Sequence, residues 1–322
     1  MAVCEGLLRI QPVTEPVDIA LWCPDEEFPI YPEGARDKRL LYSPKQQAQA
    51  FLVKNHRYLF KRPPGRYPDQ FWAEVAAYQI GCSLGLIVPP AFVAWDSRNQ
   101  ECGALIEWFL DYPGRASERY VPGGDIMISM DPRYDRRRGK THNLTAILHY
   151  LTVLQSNGSM DREWRTWWCD TLVFDALIGN TDRHQDNWGL LWSADRKARM
   201  APAFDNGTSL GHEIAPADLA GFSDPGRLDR YIQRGAHHLR WDANDRKRIP
   251  HLAFLGHLFG DWRDLKAHVR ERLTAFDIET VNDRIMEMTR FAVPTPLSEP
   301  RAALFCRLTE RRYSALMNAL DR

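Results

Sequence analysis

The stretch Asn180-Thr181-Asp182-Arg183-His184-Gln185-Asp186-Asn187, followed at a distance by Ala201-Pro202-Ala203-Phe204-Asp205-Asn206-Gly207, decides how the rest of this chain is read. It packs carboxylates and carboxamides, the hard oxygen ligands suited to magnesium, around an arginine and a histidine. Asp182 is placed to accept a hydroxyl proton. Asn187, five positions later, and Asp205, beyond an intervening hairpin, are placed to hold metal ions. Phosphoryl transfer asks for this arrangement, because positioning and charge neutralisation supply most of its catalysis. Asp, Asn and Gly are also ordinary turn residues, so the reading rests on their joint occurrence.

The flanks make the loop rigid. Upstream, Cys169, Leu172, Val173, Ala176 and Leu177 fall on one face of a helix expected over 162–178, with Gly179 placed to end it. Downstream, Trp188–Trp192, a turn over 193–197, and Met200–Phe204 read as a hairpin.

Further upstream, Arg57-Tyr58-Leu59-Phe60-Lys61-Arg62 stops at Pro63-Pro64-Gly65 and reads as a strand. Phe71, Val75, Tyr78 and Cys82 then mark a helix over 70–84, with Asp69 as N-cap and Pro89-Pro90 preventing continuation. Ala91–Trp95 and Gly103–Ile106 read as strands around a turn at 96–99. The first fifty residues, punctuated by Pro24, Glu27, Pro29, Pro32 and Glu33, suit short strands.

After residue 111 a loop rich in Gly, Pro and Arg leads to a helix over 144–154, and the segments 252–258, 265–273, 281–291 and 301–319 are helical in pattern. The run Arg133 to Lys140 reads as a solvated loop, and Asp186 as a solvated neighbour of the catalytic residues. Arg227, Arg230, Arg234 and Arg240 are placed to meet a substrate or a phosphate, whereas His237 and His238 read as structural.

Composition narrows the classes. The 322 residues carry 42 Lys+Arg against 42 Asp+Glu, which removes the broad positive field of a stand-alone nucleic-acid binder. Six scattered cysteines without a C-x-x-C pair argue against a disulfide framework or zinc site and point to a reducing cytoplasm. No apolar run approaches the length of a membrane span.

The motifs together resemble the HipA-like kinases, and the Asp-Arg-His-x-x-Asn core is also similar to the loop of phosphatidylinositol 3/4-kinases. The resemblance covers about Gly34 to Asp242. It implies an α+β, bilobal protein-kinase-like fold with a small β-rich N-lobe (1–106), a hinge (107–110) and a larger α-helical C-lobe (111–322). By the same resemblance Asp182 is the catalytic base, Asn187 and Asp205 are magnesium ligands, Lys61 is the nucleotide-binding lysine and Glu74 its ion-pair partner. Glu107, Trp108 and Phe109 occupy the place of the adenine-binding hinge, with Arg183 and His184 in supporting roles.

The implied activity is ATP- and Mg2+-dependent transfer of a γ-phosphoryl group to Ser or Thr of a protein. A phosphatidylinositol-type lipid kinase, a nucleotide-binding pseudokinase and an adenylyl-transferring variant are the alternatives. Two departures stand out. Asn206 replaces the Phe of many kinases, and the expected phosphate-covering loop is poor in glycine, with only Gly34 between residues 34 and 52 and with Lys45 as a substitute cation. HipA proteins also carry an additional N-terminal subdomain for which this chain has little room, so a small partner protein is expected to supply it or to inhibit.

Overall fold

The computed structural model describes residues 8–26, 38–46, 48–139 and 141–321. Cys4, Glu27, Pro29, Pro32, Glu33, Gly34, Gln47 and Lys140, which the sequence reading drew on, lie outside the described residues. The chain forms two compact units. The first comprises Met1–Arg115, Asn206–Ser223 and Asp277–Leu308, and the second Ala116–Asp205, Asp224–Phe276 and Thr309–Arg322.

In the first unit six strands, β1 (Val17–Asp18), β2 (Cys23–Pro24), β3 (Lys38–Tyr42), β4 (Arg57–Lys61), β5 (Ala91–Asp96) and β6 (Glu101–Glu107), form one sheet. Their order is β1-β5-β6-β4-β3-β2, with β1 parallel to β5 and the other pairs antiparallel. Lys61 at the end of β4 pairs with Ala104 of β6 on one side and Lys38 of β3 on the other. Gly103 is required there, because a Cβ would lie 2.6 Å from the Lys61 carbonyl and 2.8 Å from the Phe60 ring.

Helix α1 (Gln70–Ser83) is buried from Gln70 through Cys82. Apolar residues all round, rather than one stripe, make it a core helix. Its floor includes elements from late in the chain: α8 (Ile278–Glu287) packs on it, and Trp72 donates its indole N–H to the Thr295 carbonyl at 3.1 Å. Asp69 occupies the N-cap position but makes no capping bond. Its carboxylate instead accepts from Arg301 Nε at 3.2 Å, because a guanidinium only 2% exposed needs a counter-charge.

The second unit is built on α4 (Glu163–Ile178), whose Trp168, Leu172, Phe174 and Leu177 are fully buried. Gly179 ends the helix at φ +69°, as its position in the sequence anticipates. Around α4 lie α3 (Leu144–Ser156), α6 (His251–Asp261), α7 (Arg263–Ala275) and the end of α9 (Glu299–Leu320). A small sheet, β7 (Arg119–Pro122), β8 (Gly189–Trp192) and β9 (Ala198–Met200), is antiparallel throughout. The hairpin expected downstream of the loop is present, but its second strand stops at Met200. Ala201 N–H still reaches the Gly189 carbonyl at 3.0 Å, and Pro202 then has no N–H to continue the ladder.

Four elements lie outside the sequence expectations: β7, α2 (Gly123–Met130), a 3-10 helix (Pro216–Ser223) and α5 (Pro225–Arg234). The signal for α5 was present. Asp224 accepts from the amides of Gly226 and Arg227, and Pro225 sits in the first turn.

Candidate active site

Within the first unit, Lys61 and Glu74 are brought together. Lys61 Nζ donates to Glu74 Oε2 at 3.2 Å, and both side chains are about 5% exposed. The same carboxylate accepts the Asn206 amide at Oε1 (2.8 Å) and the Gly207 amide at Oε2 (3.0 Å). Glu74 therefore holds a buried lysine and the backbone that directly follows Asp205.

The segment 107–109 is tightly bonded. Glu107 is 1% exposed and accepts from the hydroxyls of Tyr58 (2.7 Å) and Tyr112 (2.8 Å), while Arg9 Nη2 lies 2.6 Å from its carboxylate. Burial and the nearby Glu107 charge push the Tyr58 phenol well above its usual range, so it stays a donor. Trp108 spends its amide on the Arg57 carbonyl at 3.0 Å and its carbonyl on His56 Nε2 at 2.7 Å. Burial lowers the His56 pKa, which keeps the ring neutral and makes Nε2 the donor.

Within the second unit, the loop after α4 is anchored by Asn180. This residue is fully buried and bonds in four directions: its amide and Nδ2 to Asp175, its Oδ1 from the Asp182 amide at 3.0 Å, and its carbonyl from His251 Nε2 at 2.9 Å. Asp182 and Asn187 are brought together as well, since Asn187 Nδ2 donates to the Asp182 carbonyl at 2.7 Å. That bond directs the Asn187 amide nitrogen inward and leaves its oxygen as the group with ligand character.

Arg183 is fully buried and pairs with Asp175 at 3.0 Å (Nε) and 2.7 Å (Nη2). Its Nη1 donates to the carbonyls of Asn187 and Phe204, so one guanidinium fixes both the loop and the residue before Asp205. His184 Nδ1 accepts the Asp186 amide at 3.1 Å, a loop-orienting role. Asp205 sits at φ +57°, a left-handed conformation uncommon outside glycine and costly to hold.

Asp186 is not a bare solvated neighbour. Arg136 binds it at 2.9 Å (Nε) and 2.7 Å (Nη2), and the Gln185 side chain donates to the Arg136 carbonyl. The basic run expected to be a solvated loop thus clamps Gln185 and Asp186 through Arg136, while Arg133 and Arg138 are exposed as anticipated. His237 is fully buried, packed edge-on to His251 and Phe254, in the structural role expected of it.

Sequence reasoning missed Asp175, Asn180 and Arg136. Asp175 and Asn180 bracket the end of α4 five residues apart, a legible spacing, whereas nothing local marks Arg136. No group of three or more His, Cys, Asp or Glu able to hold a metal occurs among the described residues. A cavity of about 840 Å3 in the second unit is lined from α5, α6, α7 and α9 and includes none of the residues named above. No helix among the described residues is long and apolar enough to cross a membrane.

An open, mixed sheet beside a buried helix, with a separate helical unit carrying the polar loop, defines an α+β fold of the protein-kinase-like class. Residues 31–288 match the model of the HipA-like C-terminal domain, and the chain belongs to that family. The serine/threonine-protein kinase CtkA of Helicobacter pylori is 26% identical over 171 residues, which is 50% of this chain and 49% of that protein. The chain thus matches only about half the length of this curated relative. The crystal structure of a Helicobacter pylori proinflammatory kinase CtkA superposes with a TM-score of 0.74 at 20% identity, over 95% of this chain and 96% of the other. The HipA, HipB and operator DNA complex of Shewanella oneidensis MR-1 gives a TM-score of 0.45 at 13% identity, over 97% of this chain and 68% of the other.

Proposed function

We propose that this protein is an ATP- and Mg2+-dependent kinase that transfers a γ-phosphoryl group to a Ser or Thr hydroxyl of a protein. The observation that carries the reading is the Glu74 carboxylate, which holds the buried Lys61 ammonium and the two amides that follow Asp205. A buried lysine held by a carboxylate that is itself tied to a second acidic segment is costly to build for stability alone.

In this reading Lys61 binds the α- and β-phosphates and Glu74 orients it. The segment 107–109 meets adenine in the hinge position. Asp182 accepts the proton of the incoming hydroxyl. The Asn187 amide oxygen and the Asp205 carboxylate are hard donors of the kind magnesium takes, and fewer than three acidic ligands suits an ion that shares its shell with nucleotide phosphates and water. When bound, the metal neutralises phosphate charge. Residues 1–106 act as the nucleotide-binding lobe, 107–110 as hinge and 111–322 as the catalytic lobe. The cytoplasm as site of action and a small protein partner belong to the same reading.

Incubation with labelled ATP and Mg2+ beside a bacterial proteome and phosphatidylinositol vesicles tests this. Label on Ser or Thr of protein, lost in Asp182→Asn, is the expected result. Label on lipid alone, or bound nucleotide without transfer to any acceptor, overturns it.

A further inference from the structure

Two arginines of the second unit, Arg240 and Arg248, have no carboxylate partner among the described residues. Arg240 Nη1 makes one long contact, 3.4 Å, to the Gly139 carbonyl, and its Nε is buried without an acceptor. Arg248 Nη1 makes one, 3.5 Å, to the carbonyl of Thr181, the residue before Asp182. At those lengths the protein itself takes up few of the five donors of either guanidinium, which leaves them to solvent or to a ligand.

Arg240 stands on pinned backbone, and the segment that bears Arg248 is closed by a bridge at Pro250. Arg240 N–H bonds the His142 carbonyl at 3.0 Å and its own carbonyl receives the Leu144 amide at 2.8 Å. The Trp241 carbonyl receives the amide and the hydroxyl of Thr145, and Ala236 bridges Pro250 across the segment that bears Arg248.

The surroundings supply little counter-charge. Burial lowers the Arg248 pKa, with Asp182 opposing that fall and Arg240 adding to it, so Arg248, already at the Thr181 carbonyl, feels both charges. His238 is held to about 4 by burial and by Arg248, His184 and Arg240, and so is neutral; its buried Nδ1 also lacks a partner. His142 is likewise neutral, driven well down by burial. Asp186 is already taken by Arg136, and Asp242 and Asp245 are engaged in their own turn. The one carboxylate that acts on Arg248 is Asp182, which the proposed mechanism needs for the acceptor proton.

We propose that Arg240 and Arg248 form an anion-recognition subsite beside Asp182, and that the polypeptide acceptor carries an acidic group, carboxylate or phosphate, next to its hydroxyl. The proposal rests on the kinase reading for the word acceptor, but the binding it asserts does not depend on transfer. An acidic peptide fits better than nucleic acid, because two cations in a chain of zero net charge cannot follow a polyanion's backbone.

The test is fluorescence anisotropy with the full chain and three labelled serine peptides, flanked by glutamates, by phosphoserine or by lysines, with a single-stranded oligonucleotide as a fourth probe. The wild type should bind the glutamate- or phosphoserine-flanked peptide at least tenfold more tightly than the lysine-flanked one, with the tighter of the two naming the anion. Arg240→Ala should lose about tenfold of that preference. Arg248→Glu, at an exposed position that tolerates charge, should abolish or reverse it with the melting temperature unchanged. Equal binding of acidic and basic peptides, unchanged preference in folded Arg248→Glu, or tighter binding of the oligonucleotide would each overturn the subsite. A protein that transfers phosphate without charge preference sinks the subsite alone. One that prefers acidic peptides but transfers nothing retains the subsite and loses the kinase reading.

Discussion

The Glu74 carboxylate accepts the Asn206 amide at 2.8 Å while its other oxygen receives Lys61 Nζ, so one buried side chain serves a strand lysine and the residue after Asp205. Glu74→Gln keeps the shape and removes the charge that pairs with the Lys61 ammonium, at a site 4% exposed. The expected stability loss is about 3–5 kcal/mol by urea denaturation. Adding Lys61→Met should recover part of it, because the buried ammonium is then gone. Phosphoryl transfer should fall at least tenfold in either background.

Asp205 holds a left-handed backbone that glycine adopts at no steric cost. Asp205→Gly should relieve a backbone cost of about 1 kcal/mol and eliminate transfer. Asp182→Asn, at an ordinary φ, should leave the melt unchanged and lower the transfer rate by about 10² to 10⁴. Melting curves and labelled-ATP assays on the same preparations check both.

Acid should destabilise the second unit through its buried histidines. Burial holds His237 at about 3 in the folded state, and the unfolded chain returns it to its ordinary value of 6.5. The unfolded state therefore binds the proton first. Its stability contribution is complete above about pH 6.5 and falls by about 1.4 kcal/mol per pH unit until about pH 3. His142 and His251, also lowered by burial, act in the same direction. His237→Phe should flatten the slope of unfolding free energy between pH 6 and 4 by that amount.

Arg183 cannot be replaced by lysine without loss, because its planar fork meets Asp175 with two nitrogens while the third reaches the carbonyls of Asn187 and Phe204. Arg183→Lys should cost about 3 kcal/mol in denaturant titrations. A double-mutant cycle with Asp175→Asn should show strong coupling, since each single change leaves the other charge buried.

What the sequence revealed and what it hid divide by chain distance. Asp182 and Asn187 were legible because a five-residue spacing in one loop suffices for the Asn187 side chain to bond the Asp182 carbonyl. Lys61 and Glu74 were legible because a strand, a Pro-Gly turn and a helix separate them in a fixed local geometry. Asp69 misled, since its local capping signal was overridden by Arg301, more than two hundred residues away. Arg136 was hidden for the same reason: the charge run that contains it looks solvated until Asp186 is placed beside it. Short β7 gave no alternation to read, and it exists because β8 is there to pair with.

The chain passes from one compact unit to the other after Arg115, Asp205, Ser223, Phe276 and Leu308, the last crossing falling inside α9. Neither unit is therefore a contiguous piece of polypeptide. During synthesis the first unit stays incomplete until residue 308 has left the ribosome, because α8, which packs on α1, is made about two hundred residues after it. Residues 116–205 must wait as well, for α6 and α7 to cover α4. Such a chain cannot finish one folding unit before starting the next, and its closing contacts span long loops, which slows folding and leaves apolar surface uncovered on the nascent chain. Ending the chain after Asp205, Ser223 or Phe276 would remove part of both units.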